Sequence, residues 1–300
     1  ADKVDGGAGI DTIVVGDAAA TTVAGLNASK NIEVAEFNGA GPITLALGTA
    51  AGSLNNASIT KLFFNTTDND IVNNADAAHT FAFAKTGDAT LNLANGVTTA
   101  NVSLEGQTAG TLAVNLSAAD LLANPALVST VNIASTVGAN TLTALTAQAG
   151  SKFNVTGDQD LTITALTNSA KVDASALTGV LTITGSAGAD TIILGSAADV
   201  VNVQAAGSTY GAMDIVTNFT KADTLNLTGF TGTDFVKFDA SNVNSFEQAV
   251  VGAEQAAGAT AGNAAYFTYQ NNTYVVVNID TAVSANTTDS TDLVIKLSGV

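Results

Sequence analysis

The 300-residue chain contains no cysteine, no tryptophan and no arginine, and a single histidine, His79. Without cysteine there is no disulfide, no zinc–thiolate centre and no thiol nucleophile. One histidine, outside any His-Glu-x-x-His, leaves neither a metalloprotease centre nor a Ser-His-Asp triad. His79 stands in Ala77-Ala78-His79-Thr80-Phe81 with no ligand-like spacing around it. Charge is scarce as well. Charged residues make up 12% of the chain, about half the usual share of a soluble domain. What charge there is has one sign: nine lysines against 21 aspartates and 5 glutamates, a formal net charge of −17. Clustered cations are needed to neutralise phosphate, so nucleic acid is excluded as a partner. Anionic membrane surfaces are disfavoured for the same reason. No apolar run reaches the length of a transmembrane helix, so no membrane insertion is expected. Retaining glycosidase chemistry needs two carboxylates, and no sequence signal marks such a pair; no enzymatic activity is expected. No signal peptide is visible and residue 1 is Ala, which predicts a fragment or a processed product.

What is present is apolar and neutral: 46% hydrophobic residues, with much Ala, Thr, Asn, Gly and Val. Short alternating runs recur, among them Ile59 to Asn65, Thr80 to Lys85, Ala89 to Ala94, Thr111 to Leu116, Val128 to Ala134, Thr141 to Leu145 and Lys171 to Ala174. Many evenly spaced short strands indicate a solenoid or a sandwich. A small motif recurs in Leu91-Asn-Leu, Val114-Asn-Leu, Val131-Asn-Ile, Val201-Asn-Val and Leu225-Asn-Leu, which favours stacked equivalent rungs. Asn31 to Phe37 reads as a strand burying Ile32, Val34 and Phe37. Ser117, with Asp120 three residues on, reads as the N-cap of a short helix ended by Pro125. Ser245 caps a second helix with Phe246, Val250, Ala253 and Ala257 on one face. Strands Ala265 to Tyr269 and Thr273 to Ile279 form a hairpin around Asn271-Asn272, and Asp292 to Leu297 is a last strand in the same sheet. The aromatics Tyr266, Phe267, Tyr269 and Tyr274 read as the core and face of that hairpin, with a sugar platform as the alternative.

Two stretches repeat at nine residues. Gly185-Ser-Ala-Gly188-Ala-Asp190-Thr-Ile192-Ile is followed by Leu194-Gly195-Ser-Ala-Ala-Asp199-Val-Val201-Asn202, so Asp190 and Asp199 share a slot. Gly6-Gly7-Ala8-Gly9-Ile10-Asp11 opens the same pattern near the N-terminus, with Asp2 nine residues before Asp11. Glycines permit a tight turn with exposed carbonyls. The aspartate adds a hard anionic oxygen suited to calcium, and the apolar residue two positions later enters a short strand. Each nonapeptide would then be half a coil of a parallel β-roll, with the partner of a given aspartate about eighteen residues away. Those positions hold Ser208 and Thr217. Asp173 is therefore the candidate partner of Asp190, and Asp214 or Asp223 that of Asp199. The candidate calcium residues are Asp2, Gly7, Gly9, Asp11, Asp173, Gly185, Gly188, Asp190, Gly195, Asp199, Asp214 and Asp223. Asp68-Asn69-Asp70 with Asp76 lacks the sixth-position Gly and twelfth-position Glu of an EF-hand and reads as a solvated turn. Asp158-Gln159-Asp160 reads equally as a turn or a calcium loop.

The nonapeptides and the closing segment Asp214 to Phe230 resemble the C-terminal region of RTX proteins exported by the type I pathway. The tail, Tyr266-Phe-Thr-Tyr to Asp280 and Asp292-Leu-Val-Ile-Lys-Leu-Ser-Gly-Val300, resembles the end of calcium-dependent S-layer proteins of Gram-negative bacteria. That resemblance implies a structural, non-catalytic protein at the cell surface. It implies a calcium-bound parallel β-solenoid that assembles with copies of itself into a two-dimensional lattice. It also implies export by a type I apparatus and attachment to surface polysaccharide through an N-terminal region that nothing here matches. A calcium-dependent adhesin or biofilm protein, and the RTX export module of a secreted enzyme, remain alternatives. The expected organisation is an all-β chain: a degenerate solenoid over 1–184, an RTX-like roll and closing segment over 185–230, and a capping and export region with a short helix and hairpin over 231–300.

Overall fold

The computed structural model describes residues 4–204, 207–279 and 292–299; Asp2 lies outside them. Strands dominate the described residues, and most pair in parallel. The expectations of an all-β chain and of parallel pairing hold. The chain divides into two compact units, one up to Thr164 and one from Ala165 onward.

In the first unit, one parallel sheet runs Thr12–Val15, Val34–Phe37, Lys61–Phe64, Thr80–Lys85, Thr99–Gln107, Thr130–Thr136 and Lys152–Gly157. A second runs Thr44–Ala46, Asp70–Ala75, Ala89–Leu93, Thr111–Asn115 and Ala144–Thr146. Sequence alternation aims one residue in two inward. The register then stacks like on like. Phe37 faces Phe64, which faces Phe83, and their rings stack at 5.2 and 5.3 Å. Leu45, Val72, Leu91 and Val114 form the matching row in the second sheet. Each such buried side chain is worth about 1.5–3 kcal/mol. Outward residues form rows too: the carboxamide of Asn92 donates to Asn73 at 2.9 Å and that of Asn115 to Asn92 at 3.0 Å. The corners nest closely. A methyl group on Gly87 would overlap the carbonyl of Asp68, and one on Gly110 that of Gly87.

In the second unit, Lys171–Leu177, Thr191–Ile193, Asp214–Thr217 and Leu293–Ser298 pair in parallel. Asn272–Val277 then joins antiparallel to Leu293–Ser298 and to Ala264–Tyr269, with Phe235–Lys237 at the edge. A second sheet holds Leu181–Thr184, Val200–Val203 and Thr224–Leu227. Helix Phe246–Ala257 lays Ala249, Val250, Ala253 and Ala257 on Phe267, Tyr274, Val276 and Val294. Ser245 caps it by accepting the Gln248 N–H, as expected.

Several expectations need correction. Ala20–Ala28 is a helix with no side-chain cap, held by its buried Val23 and Leu26. Val34 is only half-buried, because Ala35 and Phe37 take the inward positions of that strand. Thr141 to Leu145 is two strands, Asn140–Leu142 and Ala144–Thr146, in different sheets. Asp70 is no solvated turn: it is 3% exposed and begins strand Asp70–Ala75. The hairpin turns on Gln270 and Asn271, both with positive φ, one residue earlier than expected. Phe267 and Tyr274 are core, Tyr269 packs against it, and Tyr266 points elsewhere.

Candidate metal centre

One device recurs at the first residue of a strand or the residue just before it. Its side-chain oxygen accepts a backbone N–H from the segment that leads into or flanks the neighbouring strand. Asp70 takes the N–H of Ile43 at 2.9 Å, Asp88 that of Thr111 at 2.6 Å, and Ser151 that of Ser129 at 3.1 Å. Asp190 takes the N–H of Ala170 at 2.7 Å and Asp199 that of Leu181 at 2.8 Å. In turn Asp214 accepts the Asp190 N–H at 2.8 Å, Asp223 the Asp199 N–H at 2.9 Å, and Glu33 the Asp11 N–H at 2.9 Å. These bonds satisfy donors that a corner would otherwise leave buried and unpaired.

The repeat glycines and serines close the other side of each carboxylate. Asp190 Oδ2 accepts the Ser186 N–H at 2.6 Å and its hydroxyl at 3.0 Å. Asp199 Oδ2 accepts the Gly195 N–H at 2.9 Å, and Asp223 Oδ2 the N–H and hydroxyl of Thr220 at 2.7 and 3.0 Å. Gly188 holds Ser186 in place, its N–H donating to the Ser186 hydroxyl at 3.1 Å. The pair Asp199 and Asp223 thus has hydrogen bonds on all four carboxylate oxygens.

Asp214 differs. Its Oδ1 takes the Asp190 N–H, but its Oδ2 is buried and accepts nothing. Burial, and then the nearby charge of Asp190, push the Asp214 carboxyl up to about 7, against the Asp190 N–H bond that lowers it. Burial also raises Asp190 and Asp199. Around the point where a Gly185 Cβ would stand lie Asp190 Oδ2 at 3.1 Å, Asp214 Oδ2 at 3.6 Å and the Asn202 carbonyl oxygen at 3.9 Å. The glycine leaves a cradle walled by three oxygens, two of them carboxylate. That donor set suits a hard divalent cation, with water completing a shell of six to eight oxygens. The residues therefore fit calcium at this corner.

The N-terminal repeat has the same elements. Asp11 Oδ2 is buried without a donor, and Gly6, five residues before it as Gly185 is before Asp190, packs against the Asp11 side chain and the Asn31 carbonyl. Gly7 and Gly9 have φ of +86° and +122° and shape the turn. Asp173 does not reach Asp190. It lies within strand Lys171–Leu177 opposite Ile193. Its carboxylate takes the hydroxyl of Ser175 at 2.7 Å, which holds it below the usual carboxylate range. Among the described residues no three His, Cys, Asp or Glu side chains gather at one point, so this centre would combine two carboxylates with a carbonyl. Glu33 and Asn202 were not foreseen. The signal for Glu33 was its place directly before the strand Val34–Phe37.

His79 is oriented by Asp76, its Nδ1 lying 2.7 Å from Asp76 Oδ1. The pair lines a cavity of about 270 Å³ with Leu47, Leu54, Asn56 and Thr60. His79 is the one imidazole of the chain. In comparisons with known proteins, no family model and no curated protein matches the chain.

Proposed function

We propose that this chain is the lattice-forming part of a secreted, calcium-dependent surface-layer protein. Its paired sheets are coils of a parallel β-solenoid whose acidic corners take up calcium outside the cell. The observation that carries the reading is the oxygen cradle at Gly185, with a buried, donorless Asp214 Oδ2 facing Asp190 Oδ2. An unpaired buried carboxylate is costly, and with nine lysines for 26 acids the chain is short of cationic partners of its own. Calcium supplies that charge. Because the two carboxylates meet only in the folded chain, binding energy becomes folding energy. The small, neutral, Asn- and Thr-bearing outward rows support a structural role. The main partner is a second copy of the chain; surface polysaccharide and a type I export apparatus are further partners implied by the resemblance.

The test is a calcium titration at pH 7.5 followed by circular dichroism, with electron microscopy of the same samples. Calcium should raise the melting temperature and produce ordered planar arrays. Gly185→Ala, whose methyl fills the cradle, should lose most of the calcium-induced rise while melting within a few degrees of the parent in chelator. A melting curve indifferent to calcium would sink the metal reading. Calcium-stabilised monomers that never form arrays would sink the lattice reading.

A further inference from the structure

We infer that the C-terminal unit holds a second divalent-cation centre, beneath the C-terminal end of helix Phe246–Ala257. Its oxygen donors are Asn278 Oδ1 and the carboxylates of Glu254 and Asp292, and its ion is calcium. The inference rests on the calcium reading above and adds a site outside the nonapeptide pattern.

The site is the polar end of an otherwise apolar interface. Ala265, Val276 and Val294 stand opposite one another on three neighbouring strands and pack with the helix in one core. Side chains alternate between the two faces of a strand. Two residues further along, the helix-facing row is therefore Asn263, Asn278 and Asp292. Pairing continues that far: the Asn278 N–H donates to the Asn263 carbonyl at 2.9 Å, and the Ile279 N–H to Asp292 Oδ1 at 2.9 Å. All three residues are buried, Asn278 and Asp292 completely.

The helix brings the remaining carboxylate. Its first residue, Phe246, packs on Tyr274 at 4.7 Å. Just past its end, the Gly258 carbonyl accepts Asn278 Nδ2 at 2.7 Å. The helix thus runs along strand Asn272–Val277 in the same direction. Glu254 lies one turn before Gly258, whose N–H donates to the Glu254 carbonyl at 3.1 Å. Glu254 is completely buried, on the same side of the helix as Val250 and Ala257. It enters the interface at the level of the polar row.

The chemistry of this corner is that of acceptors. A helix C-terminus is the negative end of its dipole. Asn263 and Asn278 turn their amide nitrogens to the helix-end carbonyls of Ala257 and Gly258, at 3.1 and 2.7 Å. That bond fixes the orientation of the Asn278 amide. Its Oδ1 is buried and accepts no hydrogen bond from the described residues. A buried oxygen left so is costly, and a hard cation removes the cost. Carboxylates and an amide oxygen are the donors calcium takes, with water completing its shell. An ion here would tie the helix to strands Asn272–Val277 and Leu293–Ser298, so calcium would close the cap as well as the corner at Gly185.

The test counts calcium bound per chain by equilibrium dialysis at pH 7.5, at the free calcium that saturates the parent. The proteins are the parent, Gly185→Ala, Glu254→Gln and the double variant. Glu254→Gln keeps the side chain's shape but removes its charge, and should bind one ion fewer than the parent. The double variant should bind two fewer. In chelator Glu254→Gln should stay folded by circular dichroism and melt no lower than the parent, because a buried charge has gone. Should it fail to fold, Asp292→Asn takes its place with the same loss expected. An unchanged ion count in the folded variant overturns the inference, and would mean that protons join these oxygens. Loss in Glu254→Gln with none in Gly185→Ala upholds this centre and refutes the cradle at Gly185. Loss in Gly185→Ala alone does the reverse.

Discussion

Asp214 governs how this protein responds to acid. Its carboxyl titrates at about 7 in the folded chain and near 3.8 when unfolded. Between those values the folded protein keeps a proton that the unfolded chain has released. The stability this contributes is whole below about pH 4 and is lost as pH rises through 7, on the order of 4 kcal/mol without metal. Asp70 and Asp190, also raised by burial, act in the same direction. In chelator the chain should therefore melt lower at pH 8 than at pH 5; a flat profile would mean that Asp214 is already compensated. Calcium needs the ionised carboxylate, so its stabilising effect should grow over the same interval. Asp214→Asn should remove most of the pH slope and the calcium response, and raise metal-free stability at pH 8 by about 1–3 kcal/mol, because an amide donates to the oxygens that now face a charge. Val137 is a separate case. It holds φ +64° while 74% exposed, a conformation that costs a β-branched residue roughly 1–2 kcal/mol. Val137→Gly should raise the unfolding free energy by as much as about 1 kcal/mol, read as an upward shift of the denaturant midpoint at unchanged m.

Among the elements, the pre-strand oxygen is the common device, and its chemistry is interchangeable. Serine serves at 151 where aspartate serves at 190. Ser151 and Ser129 are fully buried, and their hydroxyls lie 2.9 Å apart. Ser151→Ala strands the Ser129 N–H without water and should cost about 1–3 kcal/mol in chemical denaturation; an unchanged midpoint would show that the N–H has another acceptor. Elements announced by local chemistry were legible. Ser117 and Ser245 cap their helices as read, and Thr80–Lys85 is a strand with the bounds its alternation predicts. Elements set by distant packing were not. Ala20–Ala28 has β-branched residues and a glycine, weak helix formers, and is helical because Val23 and Leu26 reach the core. Asp70–Ala75 is rich in Asp and Asn, which strands disfavour, and is a strand because its register between Thr44–Ala46 and Ala89–Leu93 supplies both neighbours.

At the scale of the molecule, a strand inside each parallel sheet is held by a neighbour on either side, and a strand at the edge by one. Opening should then be graded along the stack. Thr12–Val15 is paired on one side and its inward Ile13 and Val15 are only half-buried. Thr130–Thr136 is paired on both sides with Val131, Ile133 and Ser135 buried. Native-state hydrogen exchange should be fastest in the first and slowest in the second. Equal protection in both would mean that the unit opens only as a whole.

The sequence by itself determined the strand alternation, the two capped helices, the Gly–Asp slots and the lack of a thiol or imidazole constellation. These follow from short-range chemistry: a side-chain period of two, turn-forming residues and the inventory of functional groups. Tertiary structure alone decided which oxygens meet. Nine-residue spacing pointed to partners eighteen residues apart, yet Asp190 meets Asp214 at 24, Asp11 meets Glu33 at 22, and Asp173 meets neither. The distance between facing residues is set by the length of chain between one parallel strand and the next in its sheet. Those connections vary without disturbing the strands, so local pattern names the carboxylates and only the register of the stack pairs them.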